Sequence, residues 1–210
     1  EGNGEEFTRR LVDSRLPGVI HEQRLRLPGV CSICADVEGG AREAFRHLHQ
    51  LGHRKFAFLG GSSQWPAVER RLSTYKACAQ AAGCELRSWR SPAWSMDAAR
   101  ATIRPILSSY EPTAVFAAND VLAVGAIQAV RDIGKEVPLD VSVIGYDDFE
   151  FSSFVQPALT TVRIDAVQMG EWGAEVLINM AEGVEVSSDL MLATSLVVRG
   201  STGPCVAPSS

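Results

Sequence analysis

The sequence predicts an α/β fold with a parallel sheet covered by helices on both faces, and three observations carry that expectation. Strand-like runs such as KFAFLGG and VSVIGYD are continuously apolar rather than alternating, the pattern of strands buried on both faces. They alternate with amphipathic helical segments of about three to four turns. Several runs stop at a short polar or glycine-rich segment that opens the next helix. In such sheets ligands bind beyond the carboxyl ends of the strands, so LGGSSQ, SPAWS, AAND and GYDDF are the segments to read for chemistry.

In chain order, EEFTRRLVDSR reads as a helix with Phe7, Leu11 and Val12 on one face, LPGVIHE as a short strand and GVCSICAD as extended. GGAREAFRHLHQLG is a helix with Ala41, Phe45 and Leu48 at helical spacing, closed by Gly52. KFAFLGG is a strand. PAVERRLSTYKACAQAAG is a helix with the stripe Val68, Leu72, Tyr75 and Ala79, closed by Gly83. ELRSW is a strand, and SMDAARATIRPILSS a helix that Pro105 could kink or end early. TAVFAAN is a strand, DVLAVGAIQAVRDIG a helix capped by Asp120 and ended by Gly134, and VSVIGYD a strand. LTTVRID is a strand, AVQMGEWGAEVLINMAEG a helix, and LMLATSLVVRG a strand or bent pair. The tail, residues 201–210, reads as disordered.

The chain has 210 residues and a net charge of −5, enough for one or two α/β subdomains and without the basic balance of a nucleic-acid binder. No apolar run approaches the roughly 20 residues of a membrane span, so no membrane partner is expected. EGNGEEF lacks the features of a signal peptide. Five cysteines at irregular spacing argue for reduced thiols and a cytoplasmic protein. Cys31 and Cys34 form a CxxC, but in an extended run positions three apart face opposite ways, which argues against a redox or zinc role.

Asp147 and Asp148, adjacent acids at the end of a core strand, are open to three readings: turn capping, ligand binding, or catalytic or metal chemistry. Acid–base work usually needs a partner His, Lys or water site, and none of the four histidines sits at another of these strand ends. Consecutive residues after a strand tend to point apart, so one of the two can face a cleft while the other binds backbone amides in the turn. Asn119 is a ligand candidate, because its amide both donates and accepts; Asp120 is the expected helix cap. Trp94 is either core or a flat wall against a sugar face or base. Of Arg70 and Arg71, one can flank the buried stripe and hold ligand hydroxyls or a carboxylate. LGGSS is no phosphate loop. His47, His49 and His53 do not share a helix face, so no metal site and no cofactor are expected.

Together, HLHQLGHRKFAFLGG, ERRLSTYKA, the long run from AAND through GYDDFEFSS, and PALTTVRIDAVQMGEWGAEVLINMAEG resemble the effector-binding core of LacI/GalR-type transcription regulators. The resemblance runs from about Leu16 to Gly200 in the family's order and spacing. It implies two Rossmann-like subdomains, a fold shared with periplasmic sugar-binding proteins, with a small effector between them. It assigns residues 1–36 and 164–185 to a partial N-terminal subdomain, and 37–163 and 186–200 to a C-terminal one. It implies that Arg71, Trp94, Asn119 and Asp147 contact effector, a sugar, polyol or nucleoside-like molecule, and that Glu22 approaches from the other subdomain. It also implies a homodimer whose seam could include Leu122, Phe151, Phe154 and Val155. Operator DNA would be bound only through a helix-turn-helix domain that this sequence lacks. Two departures bear on the pocket's shape: Ile164 stands where many relatives carry Gln, and Thr74 where many carry Gly. The rivals are a transporter's solute-binding protein, with the same fold and an export signal upstream, and an enzyme on the same scaffold, which no nucleophile–base pair supports.

Overall fold

A computed structural model describes residue 10 and residues 17–21, 27–62 and 65–205. The expected first helix and Glu22 fall outside the described residues. The elements run β1 (Gly18–His21), β2 (Val30–Ala35), α1 (Val37–Gln50), β3 (Lys55–Gly60), α2 (Pro66–Ala81), β4 (Glu85–Arg90), α3 (Met96–Ser109), β5 (Ala114–Ala117), α4 (Asp120–Asp132), β6 (Ser142–Asp147), a 3-10 turn (Glu150–Ser153), β7 (Thr160–Arg163), α5 (Ala166–Ala181), β8 (Asp189–Leu192) and β9 (Ser195–Val197). They form two compact units that divide at Asp36/Val37, Ile164/Asp165 and Ala193/Thr194.

The smaller unit holds a parallel sheet of order β1-β2-β8. Its central strand, VCSICA, is buried at every residue, Ser32 included, and carries two buried, free thiols, Cys31 and Cys34. Helix α5, capped by the Asp165 carboxylate accepting from the Gln168 N–H, passes Gly173 against His21 and Val19. The expected crossing near 185/186 lies instead after Ala193, because β8 takes its hydrogen bonds from β2, with Cys34 opposite Met191. LMLATSLVVRG is therefore two strands in two sheets.

The larger unit has the strand order β4-β3-β5-β6-β7-β9, parallel except for the β7/β9 pair. The alternation along β3 sends Phe56 and Phe58 to one face. There Phe56 packs on Phe45 of α1 and Phe58 on Tyr75 of α2, and Tyr75 stacks on Phe116 with centroids 4.1 Å apart. Helices α3 and α4 pack on each other so closely that a Cβ on Gly125 would lie 2.4 Å from the Met96 carbonyl. That contact buries α4 almost all round: Leu122 is wholly buried, so it belongs to the core and not to an exposed dimer seam. Helix α3 runs through Pro105 without ending early. Gly52, Gly83 and Gly134 close α1, α2 and α4 with positive φ, as read from the sequence.

Residues 201–205, expected to be disordered, are held across the sheet. The Ser201 hydroxyl donates to the Val143 carbonyl and accepts from the Thr160 N–H. Buried His53 bonds the Thr113 hydroxyl and the Gly203 carbonyl, and His47 bonds Thr202. Two of the three clustered histidines thus tie the chain's last described segment, and no cluster of metal-binding side chains occurs among the described residues.

Candidate functional site

Because β3 to β6 run parallel, their carboxyl ends share one edge of the larger unit, and β3 has β4 on one side and β5 on the other. Such a reversal of winding opens a crevice. Arg71, in the second turn of α2, is buried there at 6% exposure. Its Nη1 donates to the Ala118 carbonyl, and its guanidinium lies 3.8 Å from the Tyr146 ring centroid. The Nε–H is buried without a hydrogen-bond partner among the described residues. Buried donors are paired in the great majority of cases, so an orphan charged N–H at a crevice is a group awaiting an acceptor. Arg70 is turned away, 3.3 Å from Glu38.

The cap expected of Asp120 is supplied by Asn119. Asn119 caps α4, its Oδ1 accepting from the Leu122 N–H at 2.9 Å, which leaves its Nδ2 as the donor toward the edge. Asp120 is fully buried. Its carboxylate accepts from the Ser152 hydroxyl (2.6 Å), the Phe149 N–H (2.8 Å) and the Thr161 hydroxyl (2.5 Å). Burial pushes its carboxyl up to about 6, against the pull of these donors.

Asp147, which ends β6, and Asp148, which follows it, have φ of +99° and +57°, a region L-residues enter at a cost and keep at functional sites. Asp148 does not bind turn amides as expected. Its carboxylate lies 2.6 Å from Arg163 Nε and 2.7 Å from Arg199 Nη1. Burial would raise its carboxyl, but the two guanidinium groups outweigh burial and hold it below the usual range. A folded value below the unfolded one adds stability that is present above about pH 4 and lost as pH falls through the folded value. Asp148→Asn should therefore lower stability by about 1–3 kcal/mol near neutral pH and flatten the acid limb of a pH–denaturation series. Half-buried Asp147 ends β6 at the same edge of the sheet.

Trp94, half-buried after β4, lies on Gly61: a Cβ there would come within 2.1 Å of Trp94 Cε2. The glycine at the end of β3 is what lets the indole lie flat on the strand exit. Gly61→Ala should lift the ring, shift tryptophan emission to the red, and weaken any ligand that uses it by about tenfold, on the order of the 1 kcal/mol of an aromatic contact. Trp65, before the first turn of α2, is 61% exposed beyond the same strand. The sequence reading passed over it, although a Trp-Pro opening a helix at a strand end was the available signal. Of the seam residues, Phe154 is 80% exposed, and Phe151 and Val155 are half-buried.

The strand ends of this edge thus carry a cationic donor, an amide, an acid and indole rings, and no cluster of metal-binding side chains occurs among the described residues. The fold is that of α/β domains whose ligands bind beyond the carboxyl ends of the strands. Residues 45–202 match the model of the periplasmic binding protein-like domain. The chain is 33% identical to the lactose operon repressor of Escherichia coli K12 over 81% of its own length and 48% of the repressor's. It is 30% identical to a transcriptional regulator CelR solved with cellobiose (TM-score 0.83, covering 94% of this chain and 62% of that one). It is 32% identical to a LacI-family regulator of Corynebacterium glutamicum (TM-score 0.71, 81% and 67%). The chain belongs to the periplasmic-binding-protein-like family, in its LacI-type regulator branch. It spans roughly half the length of the first curated relatives it matches, which are transcription regulators and not enzymes. No described helix is long and apolar enough to cross a membrane.

Proposed function

We propose that this chain is the effector-sensing core of a cytoplasmic LacI-type regulator, and that the effector is a sugar or polyol bound at the carboxyl edge of the larger sheet. The observation that carries the reading is Arg71, a buried guanidinium with an unpartnered Nε–H among Asn119, Asp147 and Trp94. Hydroxyl groups both donate and accept, so one saccharide can satisfy Arg71 and Asn119 as donors and Asp147 as acceptor while its C–H face stacks on indole. The CelR relative solved with cellobiose supports the ligand class. A nucleoside would use the same plate and acid, and is the second arm of the test. The reading includes no cofactor, no metal and no turnover. Binding that favours one conformation shifts that population, and with it the operator affinity of a homodimer carrying helix-turn-helix domains. Exposed Phe154 with Phe151 and Val155 is the proposed seam. Glu22 remains a proposed contact outside the described residues.

Titrating tryptophan fluorescence with cellobiose, lactose and purine nucleosides tests the reading. One class should give saturable, single-site binding that weakens by at least about tenfold in Arg71→Met. Binding that is unchanged in this variant overturns the site.

A further inference from the structure

We propose that Asp120 is the positioning residue of this site: from inside the core, its carboxylate fixes the turn that aims Asp147. The inference rests on the assignment of Asp147 as an effector contact. A helix-opening aspartate is normally spent on its own helix, but here Asn119 does that work. All three Asp120 donors come instead from the turn after β6 and from β7. The Phe149 N–H is two residues beyond Asp147, and Ser152 lies in the 3-10 turn that follows. Gly145, two residues before Asp147, is shaped to the same carboxylate: a Cβ there would lie 2.1 Å from Asp120 Oδ1. The turn is therefore held by hydrogen bonds after Asp147, and the strand before it lies close against the same carboxylate.

The grip is needed because of the backbone. Two successive non-glycine residues with positive φ persist only where the surroundings over-determine them. Asp120 holds the turn through Phe149 and Ser152, and Arg163 and Arg199 hold it through Asp148. The second clamp is an ion pair at the sheet's polar side; the first is a buried carboxylate whose elevated proton affinity makes it titratable near neutrality. The charged group bearing on it is Asp147 itself, on β6, which raises that affinity further. Ser152, Thr161, Gly145 and the Phe149 amide, packed against it from the turn and from β6 and β7, are uncharged. A proton on Asp120 is thus reported at the turn without any ligand.

The test is an NMR titration of the ligand-free 210-residue chain between about pH 5 and 8, alongside fluorescence titrations with cellobiose and lactose. The amides of Asp148 and Phe149 should shift together with a midpoint near 6 in the wild type, as the carboxyl does. In Asp120→Asn that titration should vanish while saccharide affinity stays within about threefold, since Asn keeps an acceptor toward Phe149 and Ser152. In Asp120→Ala affinity should fall by at least about tenfold. Ser152→Ala removes one donor to the ionised form and should move the midpoint upward; it decides the matter if Asp120→Ala does not fold. Amides that do not titrate in the wild type, that titrate unchanged in Asp120→Asn, or a midpoint unmoved in Ser152→Ala overturn the proposal. If Asp147→Asn binds saccharide as the wild type does, the effector reading has failed, and the ligand-free titration still decides whether Asp120 holds the turn.

Discussion

Replacing Asp147 with glycine will weaken effector binding by at least about 30-fold, roughly 2 kcal/mol, the scale of a lost charged hydrogen bond. The same change will alter folding stability by less than about 1 kcal/mol. The second half follows from the backbone. At φ of +99° an aspartate carries strain that glycine lacks, and relief of that strain offsets the entropy glycine adds to the unfolded chain. A residue kept for the fold would show the reverse, with stability falling while binding held. Equilibrium urea unfolding and effector titration of one variant separate the two, and parallel losses in both would contradict a ligand role for Asp147.

Asp120→Ala will be among the most destabilising single changes in the larger unit, at about 3–4 kcal/mol. It strands two buried hydroxyl groups and a backbone N–H, each costing on the order of 1–3 kcal/mol. Asp120→Asn should cost less than half as much, because amide and hydroxyl groups can exchange donor and acceptor roles. The two also differ in pH dependence. A carboxyl raised to about 6 in the fold from an unfolded value near 4 binds its proton more tightly when folded. Its contribution is fully present below the unfolded value and declines as pH rises through the folded one. The stability advantage of wild type over Asp120→Asn should therefore shrink between about pH 4 and 7, by on the order of 1–3 kcal/mol. An advantage constant across that range would show that Asp120 is not raised.

Much of the larger unit was legible because each element satisfied its rule locally. KFAFLGG and VSVIGYD are buried strands without alternation, and α1, α2 and α4 end at glycines with positive φ. What escaped depended on partners far along the chain. Nothing near Asp120 announces Ser152 and Thr161, so the usual helix-cap reading fell one residue late. Asp148 finds Arg163 and Arg199, which no spacing rule joins to it. Leu122 lies in LAVGAI, where α4 is buried on both the sheet side and the α3 side, and periodicity cannot separate core from seam. Residues 201–205 are polar and glycine-rich, but their hydroxyl and carbonyl groups meet His47, His53 and Val143. At the site, the residues alone left Arg70 and Arg71 open and the family resemblance singled out Arg71; the turning of Arg70 to Glu38 and the flat seat of Trp94 on Gly61 needed coordinates.

The most direct measurement is the 1H–15N resonance of the Arg71 Nε–H followed during saccharide titration. The account predicts a saturable shift, slowed solvent exchange of that proton, and perturbation of the Asn119 side-chain amide and the Trp94 indole at the same midpoint. A saccharide or nucleoside that saturates the protein while the Arg71 Nε–H resonance stays in place would contradict it.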